Sequence, residues 1–363
     1  MKIGILTFHC AINYGAVLQA YGLQETLKSM GHELSIIDYR PNYLLRPYRL
    51  FFPEAFKGHG LLVNIRFFIR ELLAIPIRYK RRCAFNRFIE RYLHLEHLDV
   101  QSEDNDFDCF VFGSDQIWNP QITGGDPIFF GDAPCFKGKK MLTYAASAGS
   151  VTSLKEIDIE QLKGRLSNLS ALSVREKSLS DCLSEELQLE NQLVVDPVLL
   201  AGKNIYQEIA SNKKSKKPYL LFFSLSKNDE ALHIARKKAV LKGLELVEMY
   251  SMVESIKDRK TLQCLTPNKF IGLFKDASYV VSTSFHGTVF SILFHKPFIC
   301  VGHNFGKSRF HSLLDMLGMQ DVLVDISNIN EYVEKEIDWE YVDNVLAQKR
   351  EEAFSFLNQA LQK

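Results

Sequence analysis

Residues 279–300 read YVVSTSFHGTVFSILFHKPFIC, and this stretch decides the predicted fold. The apolar, β-branched run Tyr279–Val281 predicts a buried strand, and the apolar segment from Thr288 to Phe294 predicts a helix. Hydroxyl residues, a histidine and a glycine lie between them. Because ligands of open α/β sheets bind beyond the carboxyl ends of the strands, the pattern indicates a site at this corner. The alternative is a turn with a histidine that belongs to the core.

The same alternation of strand, polar corner and helix runs along the rest of the chain. Predicted strands lie at residues 2–8, 33–39, 107–118, 140–149, 169–175, 193–197, 219–225, 244–250, 279–281 and 298–301. Predicted helices lie at residues 16–30, 229–242, 267–274, 308–317 and 338–361. This pattern is typical of an α/β protein, and we expect two halves that face each other across a cleft.

The segment KKSKKP at residues 213–218 is charged and ends in proline, which predicts a linker between the halves. We therefore expect an N-terminal α/β domain over residues 1–212 and a C-terminal α/β domain over residues 219–336. Residues 337–363 are predicted to form a closing amphipathic helix that packs back across the first domain.

The composition is that of an ordinary globular protein, and its net charge of +1 gives no reason to expect nucleic acid as a partner. The apolar run after Lys2 is too short for a signal peptide, and no uncharged apolar window approaches the length of about eighteen residues that a membrane span needs. Seven scattered cysteines without a C-x-x-C pair indicate reduced thiols rather than disulfides or structural zinc. We therefore expect a cytoplasmic protein without a metal site.

Residues 46–91 differ in character from the rest of the chain. They contain eleven lysines and arginines against three glutamates, a local charge of +8 that leaves −7 for the remainder. Large apolar residues alternate with these charges, so we expect a basic helical insertion in the first domain. Such a segment suits an anionic membrane surface or a lipid-linked phosphate, and the protein is then peripheral at the inner face of the plasma membrane. The alternative is a solvated helical hairpin that packs on the first domain.

Two polar corners of the first half are further candidates for ligand contacts. Asn13, Tyr14 and Gly15 lie at the predicted N-terminus of the first helix, where backbone N–H groups bind anionic or hydroxylated ligands. Asp115 and Gln116 follow the strand that begins at residue 107. Loop residues that only form turns are the alternative in both places.

Six segments in order and in register resemble the polysaccharide pyruvyl transferase family over residues 1 to about 318. They are NYGAVLQAYGLQETLKSMGH, FGSDQIWNP, YAASAG, SVREKS, VDPVLL and STSFHGTVFSILFHKPF. The resemblance implies two Rossmann-like domains facing across a cleft, a GT-B-like fold. It also implies transfer of the pyruvyl group of phosphoenolpyruvate to a hexose of a surface polysaccharide, such as a capsule or exopolysaccharide, or of its lipid-linked precursor. The product is a cyclic ketal, the by-product is phosphate, and no cofactor is needed.

The resemblance also assigns individual residues. Arg175 in SVREKS matches the family's donor-binding arginine, and His286 matches its catalytic histidine. The basic residue after the next strand falls on Lys307 or Arg309. This chain departs from the family pattern at Ser284, where well-studied members have an arginine two residues before the histidine. We therefore expect the donor phosphate to be held from elsewhere, with Arg309 as a candidate.

The chemistry of a ketal-forming transfer suits these residue types. Fixed cations bind the donor's phosphate and carboxylate. His286 is the predicted general acid that protonates the donor methylene carbon, and Thr283 and Ser284 are expected to orient its ring or bind phosphate oxygens. Asp115 is the candidate base for the sugar hydroxyl, with a loop-capping role as the alternative. Asn13, Gln116 and Trp118 are candidates for sugar binding, Trp118 by stacking.

Three other functions fit parts of the sequence. A glycosyltransferase of the same architecture uses a nucleotide sugar instead of phosphoenolpyruvate. A hydrolase with Cys10 beside His9 is less well supported, because no G-x-S-x-G motif or triad spacing accompanies the pair. A non-catalytic scaffold at the membrane, built on residues 46–91, turns over no donor at all.

Overall fold

The computed structural model describes residues 1–53, 60–154, 157–212, 217–253, 262–301, 307–326 and 333–362. Its strands are β1 Lys2–Leu6, β2 Glu33–Ile37, β3 Leu95–Glu96, β4 Cys109–Phe112, β5 Lys140–Thr143, β6 Ser173–Val174, β7 Gln192–Leu193, β8 Tyr219–Ser224, β9 Glu245–Tyr250, β10 Tyr279–Ser282, β11 Phe298–Val301 and β12 Leu323–Val324.

The helices follow the strands along both halves. They are α1 Tyr14–Ser29, α2 Asn42–Leu45, α3 Leu61–Tyr92, α4 Pro120–Thr123, α5 Val151–Leu154, α6 Ile159–Leu166, α7 Lys177–Glu185, α8 Pro197–Ala201, α9 Lys203–Ile209, α10 Asp229–Leu241, α11 Pro267–Asp276, α12 Phe285–Leu293, α13 Lys307–Met316 and α14 Trp339–Gln362. Short 3-10 turns lie at Arg46–Tyr48, Pro127–Phe130, Pro134–Phe136 and Gln320–Val322. None of the described helices combines the length and apolar character that crossing a bilayer requires.

Each half contains one parallel five-stranded sheet. The strand orders are β3-β2-β1-β4-β5 and β12-β11-β10-β8-β9, and β6 and β7 form a separate parallel pair. The central strands carry continuous apolar runs because helices cover both faces of such sheets. In the first sheet Ile3 lies opposite Leu34 and Cys109, and in the second Val280 lies opposite Leu221 and Phe298. The predicted α/β class with parallel sheets is confirmed.

The polar corners follow the carboxyl ends of these strands. After β1, Asn13 caps α1 by accepting a hydrogen bond from the Gly15 N–H, at 2.9 Å. After β10, Ser284 is the extended N-cap of α12, so Phe285 and His286 already lie in the first turn of this helix. The expectation that the helix starts at Thr288 was therefore wrong by one turn, because apolar periodicity does not reveal a polar first turn.

One hydrophobic cluster runs through both halves. Tyr14 of α1 stacks on Phe270 of α11 with ring centroids 4.5 Å apart, and its hydroxyl donates to the Leu265 carbonyl at 3.0 Å. Helix α14 lies against the first half, where Arg350 Nε donates to the Leu200 carbonyl. The predicted domain boundaries stay a prediction, since residues 213–216 of the linker lie outside the described ranges.

Candidate active site

A cavity of about 560 Å³ lies where the carboxyl ends of the two sheets face each other. Asn13, Asp115 and Gln116 line it from the first half. The second half contributes residues 224–230, after β8, then Thr283, Ser284, Phe285 and His286, after β10, and finally Arg309 and Phe310 of α13. The fold therefore brings most of the residues predicted from the strand ends into one cleft.

His286 lies on the cleft wall in the first turn of α12, with 8% of its surface exposed. Its ring packs directly against Gly15, where an added Cβ would be only 2.1 Å from Nδ1. The other ring nitrogen, Nε2, is 3.6 Å from Oδ2 of Asp196, which is an ion-pair contact longer than a hydrogen bond. Nε2 has no hydrogen-bond partner among the described residues.

Asp196 is a buried carboxylate that the sequence analysis did not single out. It caps α8, where Oδ1 accepts from the Val198 N–H at 2.9 Å, and Oδ2 accepts from Arg175 Nη1 at 2.7 Å. Burial by itself would raise the pKa of this carboxyl, but the contacts with His286, Arg175 and the Val198 N–H outweigh it and lower the pKa to about 2. Asp196 is therefore ionised and faces the imidazole of His286.

Arg175 lies beneath the cleft rather than on its surface. Only 1% of its side chain is exposed, and besides Asp196 its guanidinium contacts Asp115 Oδ1 at 3.4 Å and Glu176 Oε1 at 3.6 Å. Burial opposes its charge, but these carboxylates raise the pKa of Arg175 above its ordinary value. The ring of Phe285 covers it, with the guanidinium carbon 4.8 Å from the centroid. The prediction of direct donor binding by Arg175 does not fit this position.

Glu176 completes the buried charge network. Its Oε1 accepts a short hydrogen bond from the Ser147 hydroxyl, and burial raises the pKa of its carboxyl above the ordinary range. Its Oε2 has no hydrogen-bond partner in the part of the chain that the structure describes.

Arg309 lines the cleft together with Lys227, which is paired with Asp229 at 3.0 Å. Its guanidinium carbon is 5.7 Å from the Phe285 centroid, and its buried Nε has no hydrogen-bond partner within the described ranges. Burial and the nearby charge of Arg175 lower the pKa of Arg309, and the opposite effect of Glu176 and other carboxylates is smaller. A half-buried guanidinium in the cavity lining is suited to an anion in the cleft. Lys307 is the first residue of α13, but its side chain lies outside the described part of the structure.

Three helix N-termini lie at the cleft. Asn13 caps α1, Asn228 caps α10, and Ser284 precedes α12 without a side-chain capping bond, so three N-termini surround the cavity. Thr283 lies beside them, 2.8 Å from the Ser224 hydroxyl. Because the N-terminal end of a helix carries a partial positive charge and unused N–H groups, this arrangement favours an anionic ligand.

Asp115 and Gln116 are half-buried on the opposite wall. Asp115 Oδ1 accepts from the Gln116 N–H at 2.9 Å, so the loop-capping role that was the alternative is present. The same carboxylate still lines the cavity beside Arg175, and 14% of its side chain is exposed. The amide oxygen of Gln116 accepts from the Asn119 side chain at 2.9 Å.

Three of the predicted acceptor contacts do not reach the cleft. Trp118 is fully buried, stacks on Phe130 and donates its indole N–H to the Phe129 carbonyl, so it cannot stack on a sugar. The side chain of Tyr14 is used in the contact between the two halves described above. Gly15 is buried under His286, and its role is to leave space for that ring.

Two further expectations concern metals and cysteine chemistry. No group of three or more His, Cys, Asp and Glu side chains is placed to hold a metal ion in the described residues. Cys10 is buried, and burial raises the pKa of its thiol to about 11, while its neighbour His9 contacts Asp38 at 2.9 Å. A neutral, buried thiol does not suit a nucleophile, so the geometry disfavours the hydrolase alternative.

Comparison with solved structures supports the fold. S. aureus MnaA in a co-structure with UDP superposes with a TM-score of 0.52 at 9% identity, over 99% of this chain and 97% of that one. Lower scores are found for the glycosyltransferase SnogD from Streptomyces nogalater (0.44, 10% identity, 99% of both chains) and for the UDP-GlcNAc 2-epimerase of Methanocaldococcus jannaschii with UDP-GlcNAc and UDP (0.46, 10% identity, 96% of this chain and 99% of that one). At 9% identity the likeness to S. aureus MnaA shows the fold alone, and it agrees with the predicted GT-B-like arrangement.

Comparison with curated proteins finds no match in sequence. The model of the family described as "Polysaccharide pyruvyl transferase" matches residues 13–304, which is most of the chain. The match includes every cleft residue from Asn13 to His286. The chain therefore belongs to the polysaccharide pyruvyl transferase family.

Proposed function

We propose that this protein transfers the pyruvyl group of phosphoenolpyruvate to two hydroxyls of a hexose, forming a cyclic ketal and releasing phosphate. The acceptor in this proposal is a surface polysaccharide or its lipid-linked precursor, and the protein acts in the cytoplasm, peripheral to the membrane. The observation that carries the proposal is that His286 and Arg309 line one cleft at which three helices begin, with the buried Asp196 behind His286.

The cleft suits a small, strongly anionic donor. Phosphoenolpyruvate carries a phosphate and a carboxylate, and the guanidinium of Arg309 and the N–H groups at the start of α12 are donors for such oxygens. The hydroxyls of Thr283 and Ser284 lie along the same wall. Arg175 acts from below by fixing Asp196 and Asp115, so we assign it a positioning role and not direct contact.

His286 supplies the proton in the proposed reaction. The ionised Asp196 faces Nε2 of His286 and orients the imidazole, which delivers a proton to the methylene carbon of the donor. Protonation makes C2 electrophilic, and a sugar hydroxyl adds there and gives its proton to a base. General acid catalysis of this kind contributes roughly 10²–10⁴-fold.

The remaining steps close the ketal. The C2–O bond to phosphate breaks, a second sugar hydroxyl forms the second C–O bond, and phosphate leaves. Of the two hydroxyl protons, one replaces the proton that His286 gave to the new methyl group, and the other leaves with phosphate. Asp115, on the opposite wall, is the proposed base, and Asn13 and Gln116 are the proposed acceptor contacts.

The test is a donor screen with the purified protein. Phosphoenolpyruvate and a lipid-linked galactose-type acceptor should release inorganic phosphate and give a product whose mass has increased by one pyruvate ketal. Release of a nucleoside diphosphate from a sugar nucleotide, without phosphate release from phosphoenolpyruvate, would show a glycosyltransferase instead. No turnover of any donor would favour the scaffold.

A further inference from the structure

Helix α3 has two faces that differ in exposure. Toward the body of the protein it buries Glu71, Ala74, Arg81, Phe85 and Phe88. On its other side, apolar side chains recur at helical spacing and are exposed by 45–77%, and we call them the outer face: Leu62, Ile65, Phe68, Ile69, Leu72, Leu73 and Tyr79. These residues span five turns, a length of roughly 27 Å at 1.5 Å per residue.

An exposed apolar stripe of this length is unusual for a folded protein. Contiguous exposed apolar patches mark interaction sites. Single exposed apolar side chains need no explanation, but here seven recur along one helix. The outer face is therefore an interaction surface, and its charge indicates the partner.

The charges on this helix are almost all positive where they are exposed. Arg66, Arg70, Lys80 and Arg87 are exposed along it. The acidic residues of α3 are Glu71, which is buried and paired with Arg78 at 2.6 Å, and Glu90, which is exposed near the end of the helix, beyond the outer face. Apolar residues flanked by cations without exposed acids are typical of helices that lie in the interface of an anionic bilayer.

A cationic cavity lies beside the outer face. It has a volume of about 370 Å³ between α3 and α11, and Lys80, Arg87 and Lys269 are among the residues that line it. Three cations around one cavity favour an anionic group such as a lipid phosphate. The same side of the molecule thus offers an apolar anchor and a place for a headgroup.

The inner face of α3 connects this surface to the cleft. Arg81 donates to the Ile12 carbonyl at 2.8 Å and to the Gln263 carbonyl at 3.1 Å. Ile12 directly precedes Asn13, which lines the cleft. The helix is therefore held in a fixed position relative to the candidate active site.

We propose that the outer face of α3 lies in the interface of an anionic lipid bilayer and holds the cleft at the membrane surface. Its value for catalysis rests on the proposed function, because a lipid-linked acceptor is presented at that surface. Membrane binding itself does not depend on turnover of phosphoenolpyruvate.

The experiment is co-sedimentation of the full chain with vesicles of phosphatidylcholine alone or mixed with phosphatidylglycerol. We expect binding to the mixed vesicles that weakens with salt, and little binding to phosphatidylcholine alone. Arg66→Gln with Arg70→Gln should lower partitioning about thirtyfold, which corresponds to about 1 kcal/mol for each arginine. Ile69→Ser with Leu72→Ser should also abolish most of the binding.

The matched control is Val240→Ser with Leu241→Ser on α10, two apolar residues that are exposed by 82% and 81%. This variant should sediment like the wild type. Equal sedimentation of the wild type and the outer-face variants would overturn the proposal. A wild-type dimer that becomes monomeric in the Ile69 and Leu72 variant, with vesicle binding unchanged, would assign the face to a second copy and overturn it as well.

The two proposals fail in distinguishable ways. Vesicle binding without phosphate release from phosphoenolpyruvate leaves the membrane surface in place and removes the proposed function. Phosphate release with a short water-soluble acceptor, without vesicle binding by the wild type, supports the proposed function and removes the membrane surface.

Discussion

Replacing Asp196 by asparagine removes one negative charge from the buried network and leaves its shape nearly unchanged. The amide oxygen can still accept from the Val198 N–H at the start of α8. Its NH₂ group, however, then faces the guanidinium of Arg175 and the Nε2 atom of His286, where the wild type has an ionised oxygen at 2.7 and 3.6 Å. The variant therefore mimics the protonated form of Asp196.

The pKa of Asp196 gives the size of the effect. It lies at about 2 instead of the ordinary 3.8, and each unit corresponds to about 1.4 kcal/mol, so the ionised form stabilises the fold by roughly 2–3 kcal/mol at neutral pH. Because the folded pKa is depressed, this stabilisation is present above pH 3.8 and is lost as the pH falls through about 2. At pH 3 it should already be smaller by about 1 kcal/mol.

The assay is urea unfolding of the wild type and Asp196→Asn at pH 7 and pH 3, together with steady-state kinetics at pH 7. We expect the free energy of unfolding to fall by roughly 2–3 kcal/mol at pH 7 and by clearly less at pH 3. Because His286 loses its orienting carboxylate, kcat should fall about tenfold to a hundredfold while the KM for phosphoenolpyruvate changes little, and the pH profile of kcat should shift.

The control is Asp181→Asn, which breaks an exposed i,i+4 pair with Lys177 and should change stability by less than about 1 kcal/mol. A loss of stability for Asp196→Asn that is equal at both pH values would refute the assignment of an ionised carboxylate. Wild-type kcat with an unshifted pH profile would remove Asp196 from the positioning of His286.

Three further substitutions test the cleft. His286→Gln should lower kcat by about 10²–10⁴-fold and keep the wild-type circular dichroism spectrum. The control His311→Gln, at an exposed position, should be neutral, and equal rates for both variants would exclude His286 as the acid. Gly15→Ala places a Cβ 2.1 Å from His286 Nδ1 and should therefore displace the ring and lower kcat, and a wild-type rate would show that the ring position is unimportant. Arg309→Gln should raise the KM for phosphoenolpyruvate by about tenfold to a hundredfold, because the variant loses one charge-assisted hydrogen bond to the donor. An unchanged KM would contradict donor binding by Arg309.

Much of the fold follows from local patterns. The buried strands read as continuous apolar runs, as for β1 at Lys2–Leu6 and β10 at Tyr279–Ser282, and each is followed by residues suited to a helix cap. Parallel strands direct their carboxyl ends to one edge, so the corners at Asn13 and Asp115 were predictable as one site without knowledge of the strand order. His286 follows a strand of the second sheet and joins them because the two halves face each other, as the family resemblance implied.

The partners of the buried charges were not predictable in this way. Arg175 and Asp196 are separated by twenty-one positions, and their contact exists only because β6 and the start of α8 are adjacent in space. The sequence Asp196-Pro197 does contain a signal, since aspartate before a proline at a helix start is a typical N-cap, but it indicates the cap and not the contact with His286. Likewise, Trp118 was a candidate for sugar stacking because the sequence around it does not show that its side chain is buried.

The departure from the family pattern at Ser284 gains a physical meaning from the cleft. An arginine two residues before the histidine would stand at the N-cap of α12, on the wall that faces the cavity. Here that position holds a small, buried hydroxyl, and the guanidinium on this wall comes from Arg309 of α13. Phe285 is close to both arginines, at 4.8 Å from the buried Arg175 and 5.7 Å from Arg309. Under the proposed function, the cation for the donor therefore comes from a neighbouring helix, while Arg175 fixes Asp196 in the buried network.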